Sequence, residues 1–139
     1  LGRPGKWAVV LGITSNPGAE DFQLLPVDGG RPLWSTVMDR CAAWGSREEL
    51  MFVVGATRPE VLAEARRIAP DHFFLVPGVG AQGGDLDAVL RAGLTAEGGL
   101  LINSSRGILY AGEGAEALPA ARREATRLHQ VMAQALSAR

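Results

Sequence analysis

Four short apolar runs, each followed by a segment of helical periodicity, constrain the fold of this chain more than any other feature. Continuous apolar runs of this kind are expected for strands that are covered on both faces. Strands that alternate with helices form parallel sheets joined by right-handed crossovers. The chain is therefore predicted to hold four βα units, which could form an open sheet or half of a closed barrel. The predicted strands are residues 7–13, 50–55, 73–76 and 99–103.

Helix signals fall in the segments that follow these strands. The first predicted helix ends at Gly45, and the second starts at a Thr57–Glu60 capping box and runs through Ala69. The third is capped by Asp85 and ends at Gly93, and the last runs from about Glu116 or Ala120 to the end. The residues predicted to face inward are Trp34, Val37, Met38, Cys41 and Trp44, then Leu62, Ala65 and Ile68, then Leu86, Val89 and Leu90, and finally Ala121, Ala125, Leu128 and Met132.

Length and composition set limits on the class of protein. A chain of 139 residues suits one domain but is too short for a complete (β/α)8 barrel of about 250 residues. It begins with Leu1 rather than Met, so we expect an upstream segment to be missing. A net charge of −1 gives no general attraction to nucleic acid or to an anionic membrane. The single cysteine, Cys41, is predicted to be a buried structural thiol, and a reducing cytoplasm fits best.

Ligands of parallel α/β folds bind at the carboxyl ends of strands, so these positions were the first candidates for a site. The four ends are residues 14–18, 55–57, 77–82 and 104–107. None of them carries a carboxylate pair or a metal-spaced His/Cys cluster. The longest connection, residues 19–32, follows the first strand end and is a plausible functional loop.

Two of these ends have the composition of a phosphate site, which needs close backbone approach, amide donors and a guanidinium. Residues 76–85 offer a glycine-rich backbone with Gln82, whose amide could bridge a phosphate and a pyrimidine edge. Residues 103–108 offer Arg106 between Ser105 and Gly107, which predicts a phosphate clamp. At the first strand end, Ser15 could either cap a turn or hydrogen-bond an imide. The roles of Asn16 and Asn103 stay open.

These same segments resemble orotidine 5′-phosphate decarboxylase. Residues 77–85 match the family's Pro-Gly-Val/Ile-Gly-x-Gln-Gly-Gly-Asp loop, and residues 14–19 look like its Ser-x-Pro-Gly-Ala strand end. Many members carry Gly-Arg at the phosphate position, whereas this chain has Ser105 and Arg106, as in the longer bacterial branch. The resemblance implies the C-terminal half of a (β/α)8 barrel of the ribulose-phosphate-binding type, with residues 1–139 as one domain and the N-terminal half not in this chain.

The resemblance also implies roles for individual residues. It implies that Ser15 contacts the pyrimidine, that Pro77 packs by the base and that Gln82 closes over phosphate and base. It makes Arg106 the phosphate arginine, with Ser105 and Gly107 beside it in the substrate site.

The implied reaction is decarboxylation of orotidine 5′-phosphate to uridine 5′-phosphate and CO2 in de novo pyrimidine synthesis. The family's Asp-x-Lys-x-x-Asp array lies on an earlier strand and does not occur in this sequence, where Lys6 is the only lysine. No catalytic residue is therefore assigned here, and the isolated chain is expected to be inactive. The family uses no metal or organic cofactor, and the intact protein is expected to be a cytoplasmic homodimer that binds neither nucleic acid nor membrane.

Two alternatives remain open at this point. One is another phosphate-binding barrel, such as a sugar-phosphate aldolase-like lyase, which the upstream strand would distinguish. The other is a non-catalytic nucleotide-binding half-barrel, which a full-length coding sequence without the Lys–Asp array would favour.

Overall fold

Four parallel strands form the central sheet and pair in the order in which they occur along the chain. The computed structural model describes residues 5–13, 17–80 and 82–139. Within them the strands are β1 (Ala8–Ile13), β2 (Pro26–Val27), β3 (Arg31–Pro32), β4 (Leu50–Val54), β5 (Phe73–Pro77) and β6 (Leu100–Asn103). The sheet order is β1–β4–β5–β6, while β2 and β3 form a separate antiparallel hairpin in the long connection. The predicted α/β class and its two edge strands, β1 and β6, are confirmed.

Helices follow each strand of the central sheet. They are α1 (Leu33–Ala42), α2 (Pro59–Ile68), α3 (Leu86–Gly93), α4 (Ser105–Leu109) and α5 (Ala117–Ser137), with single 3-10 turns at Pro17–Asp21 and Gly114–Glu116. The short helix α4 was not predicted, because five residues are too few to show helical periodicity. It lies directly after β6 and packs against α5.

The predicted helix starts are partly wrong and partly confirmed. The N-cap of α2 is Arg58, whose side chain makes no capping hydrogen bond, so the cap predicted at Thr57 is one residue too early. Pro59 occupies the first turn instead, where its fixed φ angle and missing N–H cost nothing. The Asp85 cap of α3 is confirmed, since its Oδ1 accepts the N–H groups of two residues in the first turn of α3, Asp87 at 2.9 Å and Ala88 at 3.3 Å.

The helices cover one face of the sheet and form the core there. Every second residue of β4 and β5 is fully buried on this side, and Cys41 of α1 is buried with them, as predicted. Burial raises the pKa of the Cys41 thiol, which suits an inert structural group. Three residues predicted to face inward are exposed instead: Val37, Ala125 and Trp44, the last because α1 ends two residues earlier. The largest buried side chains are Phe52, Phe74, Met38, Leu50, Leu62, Val54, Val76 and Val89.

The opposite face of the sheet is apolar and uncovered within the described part of the chain. Strand register aligns two rows of side chains there, and they are most open on the edge strands, where Val9 is 47% and Leu101 is 53% exposed. An open doubly wound sheet needs helices on both faces, whereas a barrel has helices outside and strand side chains inside. The open face therefore favours half of a barrel. One row consists of Val9, Met51 and Phe73, and the other of Val53, Leu75 and Leu101.

Arg66 of α2 ties together the amino ends of β5 and β6. Its guanidinium lies 3.8 Å from the centre of the Phe74 ring, which gives a close cation–π contact. Burial lowers the pKa of Arg66 to about 10, against the opposing influence of Asp71, so the group stays charged at neutral pH. The carbonyl oxygens that accept its hydrogen bonds are those of Gly93 (2.9 Å), Ala69 (3.1 Å), Pro70 (3.1 Å), His72 (2.6 Å) and Gly99 (2.9 Å).

We predict that Arg66→Ala lowers the free energy of unfolding by about 1.5–3 kcal/mol, because carbonyl groups on four segments lose a charged donor. Arg66→Lys should recover only part of this loss, since an ammonium cannot reproduce the planar fork of donors. Urea unfolding followed by circular dichroism measures both. The neighbouring Arg67 is exposed, and Arg67→Ala should change stability by less than about 0.5 kcal/mol. Equal stability of the Arg66→Ala and Arg67→Ala variants would contradict this role.

We also predict that the isolated 139-residue chain associates in solution, because its edge strands and its apolar face have no partners among the described residues. Its apparent mass in size-exclusion chromatography with light scattering should rise with concentration. Val9→Lys and Leu101→Lys, at the two open edges, should reduce this association. Val37→Lys, at an exposed position of α1 on the helical side, is the matched control and should not. A monodisperse monomer that unfolds cooperatively would instead indicate an autonomous open sheet.

Candidate functional site

The carboxyl ends of β5 and β6 meet at a cavity of about 150 Å³. Register brings them together, because Pro77 and Asn103 are paired at the last position of the β5–β6 ladder. The loops that leave these two strands therefore start side by side and form the walls of the cavity. The lining residues are Pro77, Gly78, Val79, Gln82, Asn103, Ser104, Ser105 and Arg106.

The first wall is a glycine-rich turn that closes on itself through backbone hydrogen bonds. The N–H of Gly80 donates to the carbonyl of Gly84 at 2.9 Å, and the N–H of Gly84 donates to the carbonyl of Gly78 at 3.1 Å. A Cβ on Gly84 would lie 2.5 Å from the Cβ of Ala56 and 2.6 Å from the carbonyl oxygen of Gly78. No side chain fits there without moving the turn, so glycine allows this close approach of backbone segments.

Gln82 lies on this turn with its side chain folded back over the strand end. Gly78 has a φ angle of +98°, and a Cβ placed on it would lie 2.7 Å from the Oε1 atom of Gln82. Glycine at position 78 thus provides both the backbone conformation and the space that the glutamine side chain uses. The carboxamide of Gln82 is held beside the cavity, and the residue is exposed.

The second wall is the start of α4. The Oδ1 atom of Asn103 accepts the hydroxyl hydrogen of Ser105 at 2.9 Å and its backbone N–H at 3.3 Å, so the asparagine side chain shapes the turn into the helix. Arg106 is the next residue and is exposed. Among the described lining residues it is the only one with a formal charge. One guanidinium among neutral donors and acceptors is suited to binding a single anionic group.

The predicted site residues are only partly brought together by the structure. Pro77, Gln82, Ser105 and Arg106 line the one cavity. Gly107 lines a neighbouring cavity of about 260 Å³, between the same loops and α5. Ser15, together with Thr14 and Asn16, lies outside the described residues.

Sequence reasoning missed one residue that the cavity depends on. Ser104 is buried, and its Oγ donates a hydrogen bond of 3.0 Å to the carbonyl of Val79 across the two walls. No pattern in the sequence pointed to a contact 25 residues away.

In the described part of the chain, no cluster of three or more His, Cys, Asp or Glu side chains could hold a metal ion. The helices of this part are each too short or too polar to cross a membrane.

The sequence is similar over nearly its whole length to curated orotidine 5′-phosphate decarboxylases. The protein of that name from Bacteroides fragilis is 42% identical over 138 residues, which are 99% of this chain and 50% of the relative. That from Christiangramia forsetii is 47% identical over 131 residues, which are 94% of this chain and 48% of the relative. The chain thus spans about half the length of the curated relatives it matches. No protein-family model matches the sequence.

Solved structures agree with this similarity. The structure of Leishmania donovani OMP decarboxylase matches 91% of this chain and 48% of its own, with a TM-score of 0.74 and 38% identity. The resemblance stated from the sequence is therefore confirmed. The predicted fold class is confirmed as well, because the parallel four-stranded sheet corresponds to half of a (β/α)8 barrel of these neighbours.

Proposed function

We propose that this chain is the phosphate-binding half of an orotidine 5′-phosphate decarboxylase, which converts orotidine 5′-phosphate to uridine 5′-phosphate and CO2. The observation that carries the proposal is the cavity between the ends of β5 and β6, where Arg106 and Gln82 line opposite walls. The similarity of the whole chain to proteins named for this activity supports it.

The cavity suits one end of a nucleotide rather than a whole one. Its volume of about 150 Å³ lies below the range of about 300–1,000 Å³ that is typical of pockets enclosing a complete small molecule. In the proposal the phosphate occupies this cavity, where the guanidinium of Arg106 supplies charge-assisted hydrogen bonds. The proposal places Ser105 beside the same group and gives the backbone of Gly107, which lines the neighbouring cavity, a place at its edge.

The rest of the nucleotide would extend from the phosphate across the strand ends. In the proposal Pro77 packs by the base, and Gln82 bridges phosphate and pyrimidine, because a carboxamide offers both a donor and an acceptor. Ser15 would hydrogen-bond the pyrimidine imide from the end of β1. These roles follow the residue-by-residue match to the family's motifs.

The reacting groups would come from the part of the intact protein outside these 139 residues. The sequence holds no Asp-x-Lys-x-x-Asp array. In this family a carboxylate of that array opposes the substrate carboxylate, and its lysine stabilises the carbanion at C6 and protonates it. The contribution of this chain would be binding energy, since a grip on the remote phosphate holds the substrate in its reactive position.

The proposal includes a homodimer, because the family's second aspartate reaches the site of the partner subunit. It also includes a cytoplasmic location, which the buried unpaired thiol of Cys41 supports.

Replacing Arg106 should weaken the binding of ligands that carry a phosphate more than the binding of ligands that lack one. In the intact protein, Arg106→Ala should weaken binding of uridine 5′-phosphate by roughly ten- to hundredfold, the equivalent of a charge-assisted pair worth about 1.5–3 kcal/mol. Uridine, which lacks the phosphate, should lose much less. Isothermal titration calorimetry with the two ligands measures the difference.

The matched control for this experiment is Arg122→Ala, which removes an exposed arginine of α5 that does not line the cavity. It should leave both affinities unchanged. If Arg106→Ala lowered the affinities for uridine and for uridine 5′-phosphate equally, Arg106 would not be the phosphate clamp.

Activity should require the remaining half of the enzyme. The purified 139-residue chain should not decarboxylate orotidine 5′-phosphate, whereas the intact protein should do so. The loss of substrate absorbance in a spectrophotometric assay follows the reaction. Measurable turnover by the chain alone would show that the reacting groups lie within these 139 residues.

A further inference from the structure

Ser104 joins the two walls of the cavity through one buried hydrogen bond. It lies between the end of β6 and the start of α4 and is only 9% exposed. Its Oγ donates to the carbonyl oxygen of Val79 at 3.0 Å. The residue therefore connects the turn that carries Gln82 to the turn that carries Arg106.

The hydroxyl of Ser104 does not make the capping hydrogen bond that is usual for a serine at a helix start. A serine at the N-cap ordinarily accepts an N–H group from the first turn of the helix. Ser104 is the N-cap of α4 but makes no such bond. Asn103 accepts the N–H of Ser105 in its place. The hydroxyl of Ser104 is thus used for a tertiary contact at the expense of the local one.

A glycine next to Ser104 leaves room for its hydroxyl. A Cβ on Gly107 would lie 2.7 Å from the Oγ atom of Ser104, closer than van der Waals contact allows. A side chain at position 107 would push the hydroxyl away from Val79. Gly107 therefore protects this hydrogen bond as well as leaving its backbone open.

We propose that Ser104 is a positioning residue that fixes the distance between the glycine-rich turn and Arg106, so that both walls are set before a phosphate binds. This inference rests on the proposed function, because it concerns how the phosphate site is held. Ser104 acts through Arg106, since a guanidinium on a short helix can meet an anion in the cavity only if the helix start is fixed relative to the opposite wall.

A merely structural serine would behave differently, and the chain offers one for comparison. Ser35 is 1% exposed, and its Oγ donates to the carbonyl oxygen of Pro32 at the same distance of 3.0 Å. It lies on α1 and does not line the cavity. Ser35→Ala thus removes a part-buried serine-to-carbonyl hydrogen bond of the same length without touching the site.

The test uses calorimetric titration of the intact protein with uridine 5′-phosphate and with uridine. Ser104→Ala should lower the affinity for uridine 5′-phosphate by about tenfold and should change the affinity for uridine only slightly. Ser35→Ala should leave both affinities unchanged. In the Arg106→Ala background, Ser104→Ala should cause almost no further loss, because its effect passes through the arginine. Gly107→Ala should mimic Ser104→Ala, and the two changes together should weaken binding no more than either alone.

The outcomes distinguish this inference from the proposed function. If the unmodified protein bound uridine 5′-phosphate no more tightly than uridine, the phosphate site itself would be refuted. If that preference held but Ser104→Ala bound normally, or its effect added fully to that of Arg106→Ala, the positioning role would be refuted. An equal loss in Ser35→Ala would reduce Ser104 to a structural residue. Should Ser104→Ala fail to fold, normal binding by Gly107→Ala would overturn the inference.

Discussion

The pairing of β5 with β6 is the constraint on which the candidate site depends. At one end of this ladder Pro77 lies opposite Asn103, so the two loops that form the cavity begin at neighbouring positions. At the other end the guanidinium of Arg66 holds the carbonyls of His72 and Gly99, where the same strands begin. Both ends of the strand pair are therefore fixed. The Arg66 guanidinium holds the amino ends, and the closely packed glycine-rich turn lies at the carboxyl ends.

One face of the sheet is covered by helices, and the other face is uncovered within the described residues. Helices α1 to α3 bury one side, while two apolar rows, which contain Val9 and Leu101, stay open on the other within the described residues. Such rows normally fill the interior of a closed barrel. Two observations agree that the chain is half of a barrel: the open face of its sheet, and its match to about half of the curated relatives. The cavity lies at the carboxyl edge of the strands.

The strands and much of the site could be predicted from the sequence, because buried parallel strands are continuous apolar runs and the glycine-rich turn is a distinctive local pattern. Features set by tertiary contacts could not. The predicted cap at Thr57 is one residue too early, because α2 starts at Pro59. The bond from Ser104 to Val79 joins residues 25 positions apart, and only the register of β5 and β6 brings them together.

The proposed phosphate site is the cavity between Gln82 and Arg106. A crystal structure of the intact protein with uridine 5′-phosphate would show whether it is used. We expect the phosphate between the glycine-rich turn and the Arg106 guanidinium, with N···O distances of about 2.7–2.9 Å, and the base beside Pro77. A phosphate bound elsewhere, with Arg106 directed into solvent, would contradict it.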